Sequence, residues 1–158
     1  MLRTTLLILA GMLFAPPVRP PADPLTVAVA VETAAGKVRL ETGQAARPLP
    51  VAIAKVGEAV QARWFVQNRD RKQAYPQSIY HFFITRIETP GQELPAEPKP
   101  GSLLDNTFAE ELGAGAGTTG TCKLPISEPG LYRVQFEVLN QLAQRGTFCG
   151  VDLKVEGP

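Results

Sequence analysis

From Tyr132 to Val138 the chain alternates apolar and polar residues without interruption. Tyr132, Val134, Phe136 and Val138 share one side, and Arg133, Gln135 and Glu137 share the other. Successive side chains of a strand point to opposite faces, so this spacing predicts a half-buried strand with a wet outer face. Similar runs recur along the chain. Leu25 to Val31 is followed by Lys37 to Glu41 and Leu49 to Lys55. In the run after Gly57, Val60, Ala62, Trp64 and Val66 face one way and Gln61, Arg63 and Gln67 the other, with Phe65 out of phase. Ser78 to Thr89 is dense enough in apolar residues for a central strand. Cys122 to Ile126, Leu131 to Asn140 and Thr147 to Val155 complete the set. Short apolar runs separated by 15 prolines and 14 glycines predict an all-β domain.

The N-terminus has one arginine, Arg3, before an apolar run from Leu6 to Phe14. That run is too short to cross a bilayer and suits the core of a signal peptide. The expected organisation is a signal over residues 1–15, a Pro-rich spacer over 16–24 and one domain over 25–158. Export to the periplasm, envelope or medium follows. An uncleaved N-terminus would hold the protein at the membrane, although the mature domain has no apolar run long enough to span one. No cysteine follows the apolar run, which excludes a lipid anchor on cysteine there.

Pro90 to Thr121 is a long connection rich in proline and glycine. Thr107 and Glu110 have capping-box spacing, Phe108 and Leu112 lie one helical turn apart, and Gly113 is a stop signal. The spacing predicts a short helix around Phe108 to Leu112, followed by a flexible GAGAGTTGT stretch.

The segment EPGLYRVQFEV, with Tyr132 two residues after Gly130, resembles the penultimate strand of bacterial secreted immunoglobulin-like and fibronectin-like modules. The resemblance covers the region from about Val56 to the C-terminus. It implies an immunoglobulin-like sandwich of about seven to nine strands. It also implies a tyrosine corner at Tyr132 and a core containing Trp64, Val134 and Phe136. Val134 stands where antibody domains carry a cysteine, so the usual disulfide between the sheets is not implied.

The residues narrow the chemistry. His81 is the one histidine, and both methionines, Met1 and Met12, precede the domain. A blue-copper site would need two histidines. A zinc site would have to gather Cys122, Cys149 and His81 from three strands without any CxxC or HxxxH spacing. A Cys–His nucleophile pair would need a thiol that stays reduced after export. Asp105, Glu110 and Glu111 read as the polar side of a short element. No cofactor or metal is expected, and a net charge of +1 offers no general attraction to nucleic acid.

The leading expectation is a non-enzymatic domain that binds a protein or cell surface. A basic turn, Arg69, Arg71 and Lys72 with Tyr75 and Tyr80 nearby, is the candidate binding tip. GTTG at Gly117 to Gly120 resembles the threonine-glycine loop of bacterial immunoglobulin-like cysteine protease inhibitors, which makes inhibition the alternative. An enzyme or metal protein built on cysteine and histidine comes last. Finally, Cys122 and Cys149 both fall on the apolar parity of their strands, and they are the only two cysteines. In an exported chain this predicts a disulfide that closes the strand at 131–140 between them.

Overall fold

The computed structural model describes residues 24–42, 49–91, 103–140 and 145–158. The signal and most of the spacer expected from the sequence lie outside these residues. The described chain is all-β. Nine strands run in order: β1 (Leu25–Thr33), β2 (Gly36–Glu41), β3 (Val51–Lys55), β4 (Gln61–Asn68), β5 (Tyr75–Ile87), β6 (Leu104–Leu112), β7 (Gly117–Lys123), β8 (Gly130–Asn140) and β9 (Arg145–Glu156). They form a four-stranded sheet of order β2-β1-β4-β7 and a five-stranded sheet of order β3-β9-β8-β5-β6. All pairings are antiparallel except that of β3 with β9.

The core lies between the sheets and takes the predicted parity in β4, β7, β8 and β9. Val27, Val29 and Val31 of β1 face Val134 and Phe136 of β8 and Val151 and Leu153 of β9 within one buried cluster. Beta-branched residues suit these positions because their stiff side chains pack well on a pleated surface. Ala28 and Ala30 of β1 point outward and are still buried. Ala30 is paired with Arg39 on one side and Arg63 on the other, residues whose long stems can shield a small neighbour. At one end of the core Trp64 stacks on Phe136 with ring centroids 4.7 Å apart, and Tyr80 stacks on Phe108 at 5.1 Å. The tyrosine corner is present: the Tyr132 hydroxyl donates to the Glu128 carbonyl at 2.9 Å.

The helix expected at Phe108 to Leu112 is strand β6, in register with β5. A spacing of four brings two residues to the same side of a helix and also to the same side of a strand. The Phe108 and Leu112 pair therefore could not distinguish the two, and ladder bonds to β5 outweighed a local capping signal. The stretch expected to be flexible contains most of β7, which pairs with β4 along its length.

The expected disulfide is absent: both thiols are free. The parity was right, since both cysteines pack on the core. The separation was not legible from parity. The Cys149 thiol donates to the Leu40 carbonyl of β2 at 3.0 Å, while Cys122 lies on β7. β2 and β7 are opposite edges of one sheet, three strand spacings or about 14 Å apart. A disulfide tolerates a Cα separation of only about 7 Å.

The outer face of β8 is not wet. Arg133, Gln135 and Glu137 are 5%, 3% and 5% exposed. The chain leaving β5 reaches one end of this face, where the Gly91 N–H donates to Asp152 Oδ2 at 2.7 Å.

Candidate interaction surfaces

Strand register builds the outer face of the five-stranded sheet in rows. One row is Phe148, Glu137, His81 and Thr107, taken across β9, β8, β5 and β6. On one side of it Leu139 and Ile79 are directly paired. On the other side come Gly150, Gln135, Phe83 and Asp105, and beyond them Asp152, Arg133 and Thr85.

The last of these rows is a locked structural element. Arg133 Nε donates to Asp152 Oδ1 at 2.8 Å and Nη2 donates to Oδ2 at 3.3 Å, a bidentate pair with both side chains buried. The stem of Arg133 runs over Gly150, where a β-carbon would stand 3.6 Å from Arg133 Cδ. Asp152 also anchors Gly91, and its own N–H reaches the Pro50 carbonyl at 3.1 Å. One carboxylate thus ties β8, β9 and the chain leaving β5.

The opposite end of the face is apolar and open. Phe148 is 61% exposed and Leu139 is 36% exposed, with half-buried Ile79 beside them. Glu137 separates Phe148 from His81, whose Nε2 lies 2.7 Å from Asp105 Oδ1 and whose ring packs on Phe83. Sequence reasoning missed Phe148 and Leu139, although both left a signal. Each is apolar on the polar parity of its strand.

The expected basic tip is only partly assembled. Arg71 and Lys72 are exposed, and Arg69 lies 3.5 Å from Glu41 Oε1. Tyr75 and Tyr80 are 6% and 0% exposed and belong to the core, so they give the tip no aromatic contact. The β5 alternation that buries Phe82 and Ile84 buries Tyr80 with them. The turn itself is well ordered. Asp70 Oδ1 accepts the N–H groups of Lys72 and Gln73, and Asn68 Oδ1 accepts that of Asp70. The turn also docks on the one between β6 and β7. Gly115 N–H donates to the Asp70 carbonyl at 2.8 Å, and Asn68 Nδ2 donates to the Gly113 carbonyl at 3.0 Å. The GTTG motif does not join it as a loop, since Gly117 to Gly120 lie in the β7 ladder.

The thiols and the imidazole do not meet. His81 lies on the outer face of the five-stranded sheet, while Cys149 and Cys122 face the core between the sheets. Burial pushes the Cys149 thiol up to about 11 and raises that of Cys122 as well, so both are held as thiols rather than nucleophilic thiolates. Among the described residues no group of three histidine, cysteine or acidic side chains could hold a metal ion. A cavity of about 110 Å³ lies beside the tyrosine corner, lined by Arg86, Leu103, Ser127, Glu128 and Tyr132 among others. Small-molecule sites start at about 300 Å³, so it is not large enough for one.

No family model matches the sequence, and no curated protein matches it. Among solved structures, the chain is similar to the crystal structure of beta-glucosidase from Listeria innocua, at 18% identity and a TM-score of 0.35. The match covers 82% of this chain and 16% of that one, so the chain spans less than a fifth of the enzyme's length. At that TM-score the likeness carries no inference about fold or activity.

Proposed function

We propose that this protein is an exported, non-enzymatic domain of immunoglobulin-like architecture. In this reading it binds a protein or cell-surface partner through the apolar end of its five-stranded sheet. The observation that carries the reading is Phe148, an aromatic side chain 61% exposed beside Leu139 and Ile79. Clustered exposed apolar side chains with a polar rim mark interaction sites on soluble proteins, and aromatics concentrate binding energy. Glu137 and His81, both largely buried, bound the patch on its polar side here.

Strand order supports the architectural part. With β1, β4 and β7 taken as strands A, B and E, and β9, β8 and β5 as G, F and C, the two sheets follow the immunoglobulin arrangement. Tyr132 then opens strand F. Two departures stand against this: Trp64 lies on strand B rather than C, and Val134 replaces the cysteine of F. Export rests on the apolar run at Leu6 to Phe14.

The test immobilises wild-type protein and a Phe148→Ser/Leu139→Ser variant and exposes both to cell-envelope extract. A protein retained by the wild type and lost by an equally stable variant bears out the reading. The same set retained by both, or none retained by either, overturns it. Fractionation that finds the uncleaved chain soluble in the cytoplasm overturns export.

A further inference from the structure

Each sheet ends in two edge strands, and three of the four are guarded. β2 carries Lys37, Arg39 and Glu41. β3 is five residues long, follows Pro50 and ends in Lys55. β6 carries Asp105, Glu110 and Glu111, with Glu110 on the same inward parity as Phe108. Short length, proline and charge are the usual means of stopping an edge from pairing with another chain.

β7 has little of this. Its sequence is GTTGTCK, with one charge at the very end and no proline. Its glycines are not among those with positive φ, and its ladder with β4 runs without a register shift. The free side of the strand follows from its bonds. Asn68 N–H donates to the Ala116 carbonyl, and Leu124 N–H donates to the Val60 carbonyl. In an antiparallel ladder the residues that face the partner alternate. Even-numbered positions therefore bond to β4, while Gly117, Thr119, Thr121 and Lys123 turn their N–H and C=O groups outward.

We propose that β7 is a pairing edge to which a second copy of this chain adds, antiparallel about Gly120. Two four-stranded sheets then become one of eight strands. The strand is self-complementary in that register. Each outward residue meets an outward residue: Thr119 meets Thr121, and Gly117 meets Lys123. Gly120 meets itself at a non-hydrogen-bonded position, where strands approach most closely, and it has no side chain to obstruct the approach. Facing threonines are a favourable pair. Lys123 avoids its own copy and reaches the Gly117 end of the second chain. That end adjoins the Gly113–Ala116 turn, on which Arg71 packs, so the pairing rests on the backbone and the threonines rather than on charge.

The test uses the full chain in analytical ultracentrifugation, with amide hydrogen exchange followed at increasing concentration. Association is expected, with the Thr119 and Thr121 amides slowing as concentration rises. Those of Thr118, Gly120 and Cys122 should stay protected throughout. Thr121→Pro removes an N–H that the monomer does not use, as edge prolines do. It should weaken association at least about tenfold and leave the dilute protein folded. Thr119→Lys/Thr121→Lys sets like charges opposite each other across the seam and should weaken it as well, which covers the case in which the proline variant does not fold. A wild-type monomer at about 1 mM overturns the proposal. So does a dimer whose Thr119 and Thr121 amides exchange as fast as in the monomer, or a Thr121→Pro variant that associates as before. Slowing of those amides only when envelope extract is added would assign the edge to a foreign strand and overturn self-pairing.

Discussion

The indole of Trp64 lies against the backbone of Gly120: a β-carbon on that glycine would stand 2.3 Å from Trp64 Cζ2. The ring cannot easily retreat, because its other contacts include Phe136 in a near-parallel stack at 4.7 Å. Gly120 is therefore required for close approach rather than for a turn. Gly120→Ala is expected to destabilise the domain by about 1–3 kcal/mol, as overpacking does. Gly157, where a β-carbon meets nothing within 4 Å, is the control and should tolerate alanine. Urea denaturation of both variants checks this.

Breaking the Arg133–Asp152 pair should cost more than replacing it. Asp152→Ala leaves a buried guanidinium short of its carboxylate and releases Gly91, so a loss of about 3–5 kcal/mol is expected. A double variant, Arg133→Met/Asp152→Ala, should recover part of that loss. Denaturation of the two single variants and the double closes the cycle. A fully additive double would show that the pair is not coupled.

Tyr132→Phe removes one hydroxyl and leaves the ring in the core. The lost bond to the Glu128 carbonyl is expected to cost about 1 kcal/mol. The β7–β8 connection should also exchange its amides faster. An unchanged melt would mean that the corner contributes packing alone.

Alkali should weaken the fold through two buried groups. Burial pushes the Cys149 thiol from near 9 to about 11 and the Tyr80 hydroxyl from 10 to about 12. The folded state prefers each as its neutral form. That preference contributes in full below the unfolded values and disappears as pH rises from about 9 to 11 for Cys149 and 10 to 12 for Tyr80. Each contribution is on the order of 2 kcal/mol. Denaturation at pH 7, 9 and 10.5 should show the decline, and Cys149→Ala should remove the earlier part of it.

Local rules determined most of the strands, β6 and the larger part of β7 excepted, and the inward side of those with clear alternation. Val27, Val134 and Val151 could be placed from period-two spacing alone, because a strand has only two faces and one of them must be buried. The tyrosine corner was legible for a related reason, since its bond spans four residues, from Tyr132 to Glu128. Tertiary structure decided everything that depends on distance between segments. Phe108 and Leu112 fit helix and strand equally until β5 supplied ladder bonds. Cys122 and Cys149 shared the core side and still lay near opposite edges of a sheet. Arg133, Gln135 and Glu137 looked solvated until the assembled fold buried them and brought Asp152 to Arg133. Phe148 is exposed for a complementary reason: its parity turns it away from the core. Parity is a property of the backbone at each residue, whereas separation and coverage arise only when distant segments pack together.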